Sequence, residues 1–152
     1  MPELASFEID PSRLQIMTEL GSGQFGQVFE AWMISDKNPS LPSQQQRRKG
    51  KLVAVKSLKA DSNGKALASF LMEAQTLSQF SHPNVLGLIA VSTRNKPLQM
   101  VVEHVPYGDV RAVLRSCRRS ERADIRPDEL LYIGAQVAAG MEHLAALKFV
   151  HR

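Results

Sequence analysis

The chain changes its apolar period several times, and each change marks an element. Arg13-Leu14-Gln15-Ile16-Met17-Thr18-Glu19-Leu20 alternates loosely and runs into a glycine cluster, Gly21-Ser22-Gly23-Gln24-Phe25-Gly26. Val28-Phe29-Glu30-Ala31-Trp32-Met33 follows, rich in β-branched and aromatic types. This predicts strand, tight glycine turn, strand. Residues 35–50 mix Pro, Ser, Gln and basic types without an apolar period, which predicts a long exposed loop. A third strand covers Leu52 to Leu58. Ala66, Phe70, Glu73, Leu77 and Phe80 then recur at three- and four-residue spacing, one face of a helix from Ala66 to Phe80 that His82-Pro83-Asn84 stops. Val85 to Val91 and Leu98 to Val105 are short apolar runs with strand cores, and Asp109 to Arg115 predicts a short helix. Pro127 stands at a first helical position with Asp128 and Glu129 in the first turn. It opens a long helix whose apolar stripe is Leu130, Ile133, Val137, Met141 and Leu144.

Five strands, one helix after the third and two helices at the end make an α+β pattern. With 152 residues, 43% of them hydrophobic, the chain can bury a core of ordinary domain size. Nineteen basic against fifteen acidic residues leave a net charge of +4. The surplus lies largely in Arg47-Arg48-Lys49-Gly50-Lys51 and in Arg115 to Arg126, and neither segment interleaves aromatics. Solvated loops are therefore expected there, and no nucleic-acid partner. Cys117 is the only cysteine, so no internal disulfide framework exists, which fits a reducing compartment. No apolar run approaches the roughly 18 residues of a membrane span, and Met1 to Asp10 lacks the pattern of a secretory signal.

The chemistry concentrates near the glycines. A G-x-G-x-x-G spacing alone also suits dinucleotide-binding folds, but there the glycines open a helix, with an acidic residue about twenty positions on. Here they lead into a strand-like run, and Gln46 stands at the distant position. No Gly-Lys-Ser/Thr follows, so the Walker pattern fails as well. A glycine hairpin whose backbone can approach phosphates is the better reading, against a hairpin with no ligand. In Val53-Ala54-Val55-Lys56-Ser57-Leu58, alternation puts Ala54, Lys56 and Leu58 on one strand face, where an ammonium calls for an anion. Glu73 interrupts the apolar face of the following helix and would supply one. The alternatives are a snorkelling Lys56 and a Glu73 at the stripe's border facing water.

Glycine hairpin, V-A-V-K, helix glutamate and a closing Phe149-Val150-His151-Arg152, in this order and at these separations, resemble the protein kinase domain from about Leu14 to Arg152. The resemblance implies a five-stranded antiparallel N-lobe with one helix over residues 14–105. Residues 1–13 would be an N-terminal extension, and 106–152 the hinge exit and first helices of an incomplete C-lobe. It implies ATP as cofactor, with Mg²⁺ in the complete domain. Gly21, Ser22, Gly23, Gln24, Phe25 and Gly26 would cover the phosphates. Lys56 would contact the α- and β-phosphates and Glu73 would hold it. Leu20, Val28 and Ala54 would enclose adenine. Val102 would be the gatekeeper, the backbones of Glu103 and Val105 the adenine partners, and Asp109 a ribose contact.

Gln136-Val137-Ala138-Ala139-Gly140-Met141-Glu142-His143-Leu144 with F-V-H-R resembles the tyrosine-kinase branch. That implies a protein tyrosine as phosphate acceptor. The long loop 35–50 makes receptor-type members the first choice, with this domain in the cytoplasm and a single-pass parent in the plasma membrane. Inactive relatives with immunoglobulin-like ectodomains share similar stretches, so a pseudokinase scaffold is the alternative. By the resemblance the histidine of H-R is structural and the aspartate after it is the base. The chain closes at Arg152, so base, downstream Asn and D-F-G Asp are expected to be missing, and the long helix to lack its covering. The 152 residues alone are expected to transfer no phosphate; labelled ATP with a tyrosine peptide tests this, and transfer above background would refute it.

Overall fold

The computed structural model describes residues 2–23, 26–34, 50–119 and 125–150. The predicted loop 35–50 therefore lies outside the described residues except for Gly50, as do Gln24, Phe25, His151 and Arg152. Five strands form one antiparallel sheet: β1 (Leu14–Ser22), β2 (Gly26–Ile34), β3 (Gly50–Leu58), β4 (Leu88–Ser92) and β5 (Gln99–Glu103), in the order β1-β2-β3-β5-β4. Helix α1 (Gly64–Leu77) follows β3, and α2 (Val110–Arg119) and α3 (Pro127–Ala146) close the chain. The architecture is the α+β one expected, with a five-stranded antiparallel sheet.

Two compact units result. The first comprises Met1–Ser81 and Leu86–His104, the second His82–Val85 and Val105–Arg152. In the first, β3 is the middle strand, and its two faces go to different clusters. Val53 and Val55 pack with Ala31, Ala90 and Val101, all buried. Opposite them, Leu58, Val91, Leu98 and Met100 pack against α1 through Ala66, Phe70 and Ala74. This four-residue recurrence is one helical stripe, and burying Phe70 contributes about 1.5–3 kcal/mol.

Asn63 caps α1, its side-chain oxygen accepting from the Ala66 N–H at 2.9 Å. The helix ends at Leu77, short of the predicted Phe80. Ser78 still bonds back to the Ala74 carbonyl, but its hydroxyl donates to the Gln75 carbonyl at 2.7 Å, and Phe80 sits in a turn on Leu77. A serine that bonds nearby carbonyls, ahead of a proline, favours leaving the helix.

The second unit holds α2 and α3. Arg126 donates its N–H to Glu129 at 2.9 Å and Pro127 opens α3, as the sequence suggested for this terminus. Gly140 allows α3 to approach the H-P-N turn: a Cβ there would lie 2.7 Å from the Asn84 carbonyl oxygen. Of the predicted stripe Leu144 is buried and Ile133 half-buried, while Leu130, Val137 and Met141 are exposed.

The N-terminal residues, expected to be an extension, are built into the first unit. Leu4 is 4% exposed within the α1 cluster, and the Ile9 N–H donates to the Val91 carbonyl at 2.8 Å. Glu8 accepts from the Thr93 N–H at 2.9 Å, the Thr93 hydroxyl at 2.7 Å and the Arg94 N–H at 3.4 Å. Burial pushes the Glu8 carboxyl up, but these bonds and the Arg94 charge favour the carboxylate and hold it below its ordinary value. A depressed folded value means the stabilisation is complete above the ordinary carboxylate range and is lost as pH falls through the folded value. Glu8→Gln is expected to cost about 1 kcal/mol at pH 7. In urea titrations the gap between variant and wild type should close at acid pH; a constant gap would contradict the assignment.

Candidate functional site

The site builds from β3 outward. Its register sets Lys56 opposite Val28 on β2 and Met100 on β5, and Ala54 opposite Glu30 and Val102. Directly opposed residues share a sheet face, so Val28, Ala54, Lys56 and Val102 lie on the face that also carries α1. From α1, Glu73 meets Lys56: the ammonium lies 2.7 Å from Oε1 and 2.6 Å from Oε2. Bonds to both oxygens fix the ammonium along the carboxylate's axis, and the cation is thereby aimed at one place above the sheet.

Burial does not force this pair together, contrary to what the apolar pattern suggested. The Lys56 and Glu73 side chains are 35% and 43% exposed. The buried stripe of α1 runs through Ala66, Phe70 and Ala74, and Glu73 is turned about 60° from Phe70, at the stripe's edge. The ion pair is therefore a half-solvated one, and its strength is set by geometry more than by desolvation.

Beside it the glycine hairpin closes β1 onto β2. Gly21 pairs with Val28 and Ser22 with Gln27, and the Gly23 N–H donates to the Gly26 carbonyl at 2.8 Å. Gly26 is required by packing, since a Cβ would lie 2.8 Å from the Ser57 carbonyl oxygen of β3. Gly21, Ser22 and Gly23 are exposed. Leu20 is 52% exposed where the β1–β2 register shifts between Glu19 and Gly21. Gln24 and Phe25 lie outside the described residues.

At the other end, Val102 is half-buried and Glu103 is the exposed last residue of β5. Val105 and Asp109 belong to the second unit. There Asp109 accepts from the Ala112 N–H at 2.7 Å and so caps α2. His82 accepts from the Asn84 N–H at 3.1 Å and stacks on His143, in keeping with a turn role. Among the described residues no group of three or more His, Cys, Asp or Glu is placed to hold a metal ion. Sequence reasoning missed two contacts, Glu8 on Thr93 and the pairing of Glu30 with His104 at 3.1 Å. The second had a signal: Glu30 is a carboxylate in phase with Val28 on a strand face.

The family model for protein tyrosine and serine/threonine kinases matches residues 14–152. The chain belongs to that family. It is 35% identical to tyrosine-protein kinase Abl of Drosophila melanogaster over 99% of its length and 8% of the relative's. It is 37% identical to human ephrin type-A receptor 1 over 95% of its length and 13% of the relative's. Epithelial discoidin domain-containing receptor 1 of Mus musculus is 32% identical over 93% of the chain and 17% of the receptor. The chain thus spans less than a fifth of these relatives.

A half-solvated pair contributes about 0.2–1 kcal/mol. Glu73→Gln is therefore expected to lower the unfolding free energy by no more than about 1 kcal/mol, read from urea midpoints. A loss of several kcal/mol would mean the pair is far more enclosed than its exposure indicates.

Proposed function

We propose that this chain is the ATP-binding part of a protein tyrosine kinase, with the sheet and α1 as N-lobe (14–105) and residues 106–152 as the start of the C-lobe. The observation that carries the reading is the Lys56–Glu73 pair on the sheet face shared with Val28, Ala54 and Val102, beside the glycine hairpin. Lys56 holds the α- and β-phosphates. Glu73 keeps its ammonium from collapsing onto the sheet and leaves the third N–H free to point outward. Backbone N–H groups around Gly21, Gly23 and Gly26 come close to phosphate oxygens because no Cβ intervenes. Leu20, Val28 and Ala54 offer an apolar slot for the purine, Val102 closes it, and the main chain at Glu103 meets the adenine edge. Bound ATP with Mg²⁺ supplies the phosphoryl group and neutralises its charge; these residues bind and orient.

The parent is proposed to act on protein tyrosine. Two of the three relatives named above are receptors by name, and the loop of residues 35–50 favours the receptor form, with this segment in the cytoplasm. Among the described residues no helix is long and apolar enough to cross a membrane, so any span would lie elsewhere in such a parent.

In a longer chain carrying the remaining kinase domain, Lys56→Met should cut autophosphorylation by about 10²–10³-fold, the cost of removing one preorganised electrostatic partner. Antiphosphotyrosine blotting measures it, and retained autophosphorylation would refute the role given to Lys56.

A further inference from the structure

Glu30 and His104 have no part in the function just described, yet they meet across the sheet. His104 Nε2 lies 3.1 Å from Glu30 Oε1, within hydrogen-bond reach, and the side chains are 13% and 23% exposed. That makes this contact more enclosed than the Lys56–Glu73 pair, at 35% and 43%. Glu30 stands in β2, and His104 directly follows β5. With β3 between them, their backbones are about 10 Å apart, too far for main-chain bonding. Only side chains can close that distance. They cross β3 beside Ala54, which faces Glu30 on one side and, on the other, Val102, two residues before His104. The Ala54 methyl group leaves room that a larger residue would fill.

We propose that Glu30 and His104 are positioning residues of the nucleotide site, a clasp beside Ala54 that holds the main chain next to Glu103, where the adenine edge is read. This rests on the ATP-site reading above. Bonding of the imidazole to a carboxylate two strands away anchors the backbone at His104. A backbone already held loses less freedom when the base binds. The clasp sits at the base end of the slot, and Lys56 with the glycines serves the phosphate end, so its effect is confined to recognition of the base.

The test uses a longer chain with the rest of the kinase domain. Glu30→Ala and His104→Phe should each raise KM for ATP about five- to tenfold, as loss of one enclosed hydrogen bond does, with kcat changing less than twofold. The double variant should be no worse than either single one, and Glu30→Gln, whose amide oxygen still accepts, should keep most of the affinity. Inhibition by adenosine should weaken by the same factor, while inhibition by inorganic tripolyphosphate, phosphates without a base, should not change. Thermal melting checks folding, and either single variant suffices if the other unfolds. An unchanged KM for ATP in the folded variants overturns the clasp, as does equal weakening of tripolyphosphate. A wild-type chain without saturable ATP dependence overturns the ATP-site reading and the clasp with it; intact ATP dependence that the variants leave untouched overturns the clasp alone.

Discussion

Everything in the first unit is referred to the register of β3. Strand alternation gives each residue of Val53 to Leu58 a face, and pairing with β2 on one side and β5 on the other carries that choice across the sheet. Val53 and Val55 close one cluster; Ala54, Lys56 and Leu58 serve the other face. A slip of one residue would bury the ammonium of Lys56 and turn two valines toward the glycine hairpin. Gly26 resists such a slip, because its missing side chain lets β2 lie against the Ser57 carbonyl.

The ion pair at the centre of the site is weak as a fastener, and that follows from its solvation. Helix α1 is held by Ala66, Phe70 and Ala74, with Leu4 packed into the same cluster. Apolar contact places the helix, and the charges then find each other at its edge. An interaction of this kind can be made and broken with little change in the total stability of the fold. It is well suited to a contact whose meaning is positional.

Much of this was legible in the chain. Period-two runs and glycine punctuation located the strands, and the pairing of Lys56 with Glu73 followed from two residues each out of place in its own pattern. Burial is not what drives that pairing, and the sequence could not show it, since spacing tells which residues share a stripe but not where the stripe's border falls against solvent. Helix α1 stopped at Leu77 because Ser78 bonds local carbonyls, a competition that apolar periodicity does not register. The contacts of Glu8 and His104 were missed for another reason: their partners, Thr93 and Glu30, lie 85 and 74 positions away by residue number, and only the folded sheet brings them near.

The anchoring of Leu4 and Glu8 separates two notions of where a domain starts. The family model begins at residue 14, whereas the first unit is already sealed by a side chain ten residues earlier. A kinase core cut at the family boundary would carry an open apolar slot between α1 and the β4–β5 turn, and three donors on Thr93 and Arg94 would turn to solvent. The stretch ahead of the family model is thus a keel of the fold, and kin of this chain with different residues there would have to seal the same seam by other means.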